Sequence, residues 1–326
     1  MILLLAGCAD RPLERVGDAD SLKEGTDDAG LGRDAGPEGD GGPEGDVGPD
    51  AAPDRDAGPD RDAAPDRDAA PDRDAGPDPD AAPDAGPPAF ALPPPNAAFD
   101  YQLGGPYAPP RGVTVVARDR TAAPAPGLYN ICYINGFQVQ PGEEDFWLTN
   151  HPDLLLRDRA GELVIDPDWD EILIDIRTPD QRRRVAQVVG GWIAQCAADG
   201  YHAVEIDNLD TFSRSGGLLQ ADQAVATMAL FSAAAHRHGL AIAQKNSAEI
   251  VDRRAELGTD FVVTEECNVY DECDVYTGAY GEHVLVIEYQ RAAFETGCRS
   301  FPQLSIILRD LDLTTPRDGE YVYDGC

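Results

Sequence analysis

Residues 202–210 read HAVEIDNLD. Ala203, Val204 and Ile206 have strand character, yet Glu205, Asp207 and Asp210 crowd carboxylates into and just beyond the same short run. In a strand, side chains alternate between faces with a period of two, so Val204 and Ile206 share one side while Glu205 and Asp207 share the other. Asp207 is then the last residue of the strand, with Glu205 beneath it. A carboxylate drawn inside a fold needs a partner, and Lys245 and Arg177 are the candidates.

Other apolar runs end in the same way. From Phe99 onward nine of them recur in order: FDYQL, VTVVARD, YNICYIN, EILIDIR, AVEIDN, LAIAQKN, FVVTEE, HVLVIEY and LSIILRD. Between several lie helix-like stretches, PDQRRRVAQVVGGWIAQCAADG and QADQAVATMALFSAAAHRHG. The first is preceded by Thr178 as an N-cap, opens on Pro179 and closes on Gly200; the second ends at Gly239. Continuous apolar runs alternating with helices predict a parallel sheet covered by helices.

Most runs finish on a polar pair: Asp175 with Arg177, Asp207 with Asn208, Lys245 with Asn246, Glu265 with Glu266, and Glu288 with Tyr289. In a closed barrel these ends meet at one mouth, whereas a doubly wound sheet spreads them along an edge. No Gly-rich phosphate loop follows any strand, so the predicted fold class is α/β, a (β/α)8 TIM barrel. Nine runs exceed eight strands by one, and either YQL or SIILRD is expected to be accessory.

Residues 98–326 form this domain. Residues 9–97 are Asp, Pro, Gly, Ala and Arg with almost no aromatic or β-branched residues, settling from Ala51 into a near-repeat of PDRDAA or PDRDAG. Such a segment buries too little apolar area to offset its ordering entropy and is expected to be a disordered, Pro-stiffened acidic linker. The first eight residues, MILLLAGC, are too short to span a bilayer.

Residues 1–97 carry 24 acidic and 8 basic side chains, a net of −16, and residues 98–326 carry 36 and 18, a net of −18. A domain this acidic is a poor partner for nucleic acid, which needs a positive surface. It suits a cationic substrate.

Seven cysteines are present. In ECNVYDEC, Cys267 and Cys273 flank a loop, while Cys298 lies in a turn-like stretch and Cys326 is the last residue. Disulfides Cys267–Cys273 and Cys298–Cys326 are expected, although spacing alone leaves other pairings open. Cys132 and Cys196, in strand-like and helix-like contexts, are expected to be buried thiols. The cysteines lack paired C-x-x-C knuckles and His236 and His238 are not spaced to join them, so neither a metal nor a cofactor is expected.

Two carboxylates at strand ends in a polar mouth are the minimum equipment for glycoside hydrolysis. One gives its proton to the leaving oxygen, and the other attacks C1 or activates water. Asp207 and Glu265 are the candidate pair, and unequal surroundings would split their pKa values. Lys245 is the only lysine in residues 98–326 and arrives at a strand end, which points to a charge contact within the cleft. Tyr133, Trp147, Phe212, Tyr270 and Tyr289 are candidate sugar-stacking aromatics.

The ordered set YQLGG, ICYING, LIDIR, GYHAVEIDNLD, AHRHGLAIAQKN, TEECNVYDEC and VIEY resembles the endo-α-1,4-polygalactosaminidase family of glycoside hydrolases and covers essentially all of residues 98–326. The resemblance implies a (β/α)8 barrel that cuts partly deacetylated α-1,4-galactosaminogalactan or a related polysaccharide, in keeping with the acidic charge of the domain. It implies Asp207 as nucleophile or base and Glu265 as general acid/base. Asp175, Arg177, Asn208, Asp210, Lys245, Asn246, Glu288 and Tyr289 match motif positions expected to shape the subsite or orient the carboxylates, and Tyr133 is a further substrate-binding candidate. Asp119, between Arg118 and Arg120, fills a place where the family carries an aspartate.

The sequence departs from the family pattern at four places. Ile206 replaces a proline, Thr264 an asparagine and Glu266 a glutamine, and the ING at 134–136 replaces a loop of Ser-Ala-Gly type. Glu266 beside Glu265 would raise its neighbour's pKa or recruit a cationic sugar, unless it points away. MILLLAGC in turn resembles the lipobox of bacterial lipoproteins, with Cys8 as the lipidated residue. It lacks a basic lead, which places the expected start upstream of Met1. The resemblance implies a lipid-anchored protein of the bacterial cell envelope or surface, with a secreted protein as the alternative; a monomer is expected. The rivals are hydrolysis of another amino-sugar polymer, deacetylation, a noncatalytic glycan-binding barrel, and a structural surface protein whose charges merely solubilise it.

Overall fold

The computed structural model describes residues 90–326. Cys8, the lipobox and the linker up to residue 89 lie outside the described residues. In chain order the elements are β1 (Phe99–Gln102), β2 (Val115–Asp119), β3 (Tyr129–Asn135), α1 (Glu144–Asn150), α2 (Pro179–Asp199), β4 (Ala203–Asp207), α3 (Thr211–Arg214), α4 (Ala221–Arg237), β5 (Ala241–Lys245), α5 (Arg254–Leu257), β6 (Phe261–Glu265), α6 (Cys273–Tyr280), β7 (Val284–Glu288), α7 (Arg291–Ser300), β8 (Ser305–Arg309) and β9 (Tyr323–Gly325). Strands β1 to β8 pair in sequence and in parallel, and β9 adds to β8 antiparallel. The seam between β8 and β1 is held by side chains. Buried Arg309 reaches Asp100 at 3.3 Å and donates to the Tyr101 carbonyl, and the Tyr323 hydroxyl donates to the Phe99 carbonyl at 2.9 Å.

The period of two builds two cores from one set of strands. Phe99, Val115, Ile131, Ala243, Val263 and Ile287 fill the barrel interior. Their neighbours in sequence face outward: Val204, Ile206 and Ile242 pack into the same core as residues of α2 and α4, and Val284, Val286 and Ile306 pack with residues of α6 and α7.

Helix α2 shows how the outer layer is specified. Thr178 and Gln181 form a capping box, Pro179 sits in the first turn, and Gly200 terminates the helix at φ 93°, where a side chain would be strained. Its buried residues Val185, Val189, Ile193 and Cys196 recur every three or four positions and so form one stripe.

Three expectations need correction. EILIDIR is not a barrel strand. Leu173, Ile174 and Ile172 instead make antiparallel bridges to Gln138, Leu155 and Ile165 within the long connection between β3 and α2. An apolar run reports burial, and here a local antiparallel patch buries it as fully as a parallel sheet would. Both FDYQL and LSIILRD are therefore barrel strands, and the accessory strand is β9. Secondly, the connections after β1 and β2 carry no helix. Thirdly, Cys132 and Cys196 are bonded, with Cα atoms 6.2 Å apart, because Cys132 faces out of β3 toward the buried stripe of α2. Disulfides Cys267–Cys273 and Cys298–Cys326 are present. Among the described residues no helix is long and apolar enough to cross a membrane.

The described chain begins on the barrel. Phe90 stacks on His236 at 4.8 Å, the Ala91 carbonyl accepts from the Tyr129 hydroxyl at 2.7 Å, and the Pro93 carbonyl contacts His283 Nδ1 at 3.2 Å. Tyr129 opens β3 and His283 precedes β7, so this strap crosses the end of the barrel opposite the carboxylates.

Candidate active site

Three successive strands end on chemically active side chains, and parity points all three inward. In β4 Ala203 faces the interior, so Glu205 and Asp207 do as well; in β5 Ala241, Ala243 and Lys245 share that face; in β6 Phe261, Val263 and Glu265 do. The residue after each is left-handed: Asn208 at φ 63°, Asn246 at φ 47° and Glu266 at φ 56°. A left-handed residue ends the strand abruptly and turns the main chain aside, leaving the preceding side chain at the rim of the mouth. Asparagine tolerates this conformation better than most residues, which gives the DN and KN pairs a backbone reason.

Lys245 organises the centre. It is 3% exposed. Its Nζ lies 3.1 Å from Asp207 Oδ1, 3.1 Å from Glu265 Oε2 and 3.5 Å from Glu205 Oε1, with the Tyr101 hydroxyl at 3.3 Å. Burial opposes a charged lysine, but the surrounding carboxylates of Asp207, Glu265 and Glu205 outweigh it and hold the ammonium well above its usual range. Since the same nitrogen touches Asp207 and Glu265, those two carboxylate oxygens lie no farther apart than twice the 3.1 Å contact.

The remaining oxygens are held by hydroxyls and amides. Tyr133 donates to Asp207 Oδ2 at 2.6 Å. Tyr289 donates to Glu265 Oε1, and Asn246 donates to Glu265 Oε2 at 3.1 Å while its own Oδ1 accepts from the Glu265 backbone N–H at 2.8 Å. Burial by itself would raise the pKa of Asp207. Lys245, the Tyr133 hydroxyl and the Asn208 N–H reverse this, and the carboxyl lies below its ordinary value. Glu205, fully buried beneath it, behaves differently. Burial lifts its carboxyl to about 7, although Lys245 and the Tyr101 hydroxyl, which donates at 2.5 Å, pull the other way.

Asp207, Glu265, Lys245, Asn246, Tyr133 and Tyr289 thus come together in one cluster. Other candidates stand elsewhere. Asp175 and Arg177 pair with each other at 2.6 Å just before α2 and do not end a barrel strand. Glu288 is 0% exposed and turned out of the barrel with Val284 and Val286, its Oε1 accepting from the backbone and side chain of Asn268 at 3.0 and 2.9 Å. Asp119 is taken up by the Thr121 N–H at 2.8 Å and by Gln140 at 2.6 Å. Asp210 pairs with Arg214 at 2.5 Å. Asn208 sits between Asn135 at 3.0 Å and Arg214 at 3.1 Å. Glu266 leans on Gln290 at 3.4 Å. Of the aromatics, Trp147 is buried in the outer core and Phe212 packs against it, while Tyr270 is 63% exposed.

Two side chains that sequence reasoning passed over belong to the site. Tyr101 hydrogen-bonds Glu205, a partner 104 residues away that only barrel closure brings near. Glu171, in the connection after β3, accepts from Asn135 Nδ2 at 2.8 Å beside Asp207. Parity marks Tyr101 as inward, but no local signal marks Glu171.

The sequence pattern of glycoside-hydrolase family GH114 matches residues 80–326. The chain belongs to family GH114. It is therefore a glycosidase. No curated protein matches the chain. Among solved structures, Aspergillus fumigatus Ega3 in complex with galactosamine superposes with a TM-score of 0.60 at 18% identity, covering 73% of this chain and 98% of Ega3. The glycoside hydrolase domain of PelA from Pseudomonas aeruginosa gives 0.50 at 16% identity, covering 70% of this chain and 98% of that domain. At these identities the likeness is one of fold. The matched region covers nearly the whole length of both.

Proposed function

We propose that this GH114 hydrolase cleaves α-1,4-linked galactosamine-containing polysaccharide internally, with Asp207 as nucleophile and Glu265 as general acid/base. The observation that carries this reading is the single buried ammonium of Lys245 in contact with both carboxylates. It stabilises the ionised form of Asp207 and holds the two carboxyl groups side by side at the mouth. Retaining glycosidases separate their carboxyl groups by about 5 Å and inverting ones by roughly 6.5–9.5 Å; the shared contact with Lys245 brings the facing oxygens together, and the retaining route is the one proposed.

In the first step Glu265 gives its proton to the departing glycosidic oxygen as Asp207 attacks C1, forming a glycosyl–enzyme bond while the aglycone leaves. In the second step Glu265 takes a proton from water, whose oxygen displaces Asp207 from C1. Tyr133 and Tyr289 hold the two carboxylates at their outer oxygens. A galactosamine unit is favoured by the acidic domain and by the galactosamine bound to Ega3; internal cleavage follows the family resemblance. Cys8, once lipidated, would tether this monomeric hydrolase to the cell envelope through the acidic linker.

The test is product release from partly deacetylated α-1,4-galactosaminogalactan, sized by mass spectrometry, with the anomer of the first product followed by NMR. Short oligomers from the wild type, and a loss of about a thousandfold or more in Asp207→Asn and Glu265→Gln, are expected. Binding without release would move the protein to the noncatalytic reading.

A further inference from the structure

The stretch VIDPDWDE at 164–171 folds into a compact turn over the ends of β3 and β4. The Asp166 N–H bonds the Glu171 carbonyl at 2.8 Å and the Asp170 N–H bonds the Asp166 carbonyl at 2.9 Å. Asp166 itself is 0% exposed and fixed by Gln138 and Arg214, each at 2.5 Å. Arg214 also holds Asp210 at 2.5 Å and Asn208 at 3.1 Å. Asn208 bonds Asn135 at 3.0 Å, and Asn135 bonds Glu171 at 2.8 Å. A closed ring of polar contacts thus locks the turn to the strand that carries Asp207.

What the ring fixes is the place of Glu171. Asn135 ends β3 directly opposite Asp207 in register, so a single amide separates Glu171 from the Asp207–Asn208 pair. Glu171 Oε2 accepts from that amide, and Oε1 has no hydrogen bond among the described residues. Among the described residues no cation pairs with it directly, since Arg214 is committed to Asp166 and Asp210, and Lys245 to Asp207, Glu205 and Glu265. Trp169, at the crest of the same turn, is 61% exposed, an apolar face of the kind that sugar rings stack on.

We infer that Glu171 is a specificity-determining residue, the carboxylate that receives the ammonium of the galactosamine unit next to the bond being cut. This rests on the proposed substrate. A half-buried carboxylate near two others, with one oxygen free of protein partners and reachable from solvent, lacks a positive group, and a deacetylated amino sugar brings one. Burial, together with the charges of Asp207 and Asp166 and against the pull of Asn135 and Arg214, lifts its carboxyl to about 7, which an arriving ammonium would reverse. An N-acetylated unit has no such charge and gains nothing from Glu171.

The test is calorimetry on the full chain carrying Glu265→Gln, which prevents turnover, with short α-1,4-linked galactosamine oligomers and their fully N-acetylated counterparts. The parent is expected to prefer the amino form. Adding Glu171→Gln should weaken binding of that form by about tenfold or more, the worth of a charge-assisted hydrogen bond, and leave the acetylated form within about twofold. Glu171→Lys should invert the preference. An unchanged preference in both variants, or equal losses on both oligomers, overturns the inference while leaving the hydrolase intact. A parent that binds neither oligomer overturns the substrate reading itself and this inference with it.

Discussion

Replacing Glu205 by glutamine should make the protein's stability less dependent on pH, and the size of the change follows from where Glu205 sits. The side chain is fully buried under Asp207, and its carboxyl titrates at about 7 in the folded protein. In the unfolded chain a glutamate titrates near the ordinary value of 4.5. Below that value both states hold the proton, and folding carries no penalty from this group. As pH rises toward 7 the unfolded chain gives up a proton that the folded chain retains, so stability falls; above 7 it levels off. A gap of about 2.5 pH units at 1.36 kcal/mol each amounts to roughly 3 kcal/mol.

Glutamine keeps an acceptor for the Tyr101 hydroxyl and has no proton to lose. The stability of Glu205→Gln relative to the wild type should therefore increase by about 3 kcal/mol between pH 4 and pH 8. Equilibrium urea unfolding of both proteins at pH 4, 6 and 8, with the disulfides intact, measures it. Glu171, whose carboxyl is also raised to about 7, titrates in both proteins and drops out of the difference. A difference that stays constant to within about 0.5 kcal/mol over this range would refute the reasoning. Glu205 would then be ionised in the folded state throughout and fully met by Lys245.

Lys245→Met withdraws the ammonium that depresses Asp207, so the acid limb of the kcat/KM profile should move up by about one to three pH units, an outcome absent if Lys245 is only a packing residue. Gly136→Ala puts a Cβ 2.4 Å from Ile206 Cγ2 on the far side of β4; the repacking should lower stability by about 1–3 kcal/mol in thermal denaturation. Glu266→Asn replaces a side chain strained at φ 56° by one that accepts the left-handed region, and should raise stability by about 0.5–1 kcal/mol without changing turnover.

Alternation and strand-end charge made the barrel and its central acids legible. Asp207, Lys245 and Glu265 each close a run of small and branched residues, and their parity agrees with what the barrel shows. The same parity carried information that the polar-end rule overrode. In VLVIEY, Leu285 and Ile287 face inward, so Glu288 must face outward and Tyr289 inward. EILIDIR misled because hydrophobic content reports burial and is silent on the pairing partner. Cys132 and Cys196 were placed in the right kinds of element, but which helix face meets which strand is a tertiary fact. Glu171 was invisible for a related reason. It belongs to a turn whose position depends on Arg214 and Asp166, 48 residues apart in sequence.

The choice of lysine at position 245 has a consequence for the ligand. An ammonium has three donors on one compact atom, whereas a guanidinium spreads its donors over a flat fork. Here the three are spent on Asp207, on Glu265, and on the Tyr101 hydroxyl with Glu205 close by. None remains for a bound molecule. Three carboxyl groups, of which Asp207 is held ionised and Glu205 titrates at about 7, therefore share one cation, and Glu171 adds a fourth at the rim. A neutral sugar entering this mouth would leave that excess of acid uncompensated, while one bearing an ammonium supplies the missing charge. The proposed preference for an amino sugar thus rests on the carboxyl groups gathered around Lys245 as well as on Glu171.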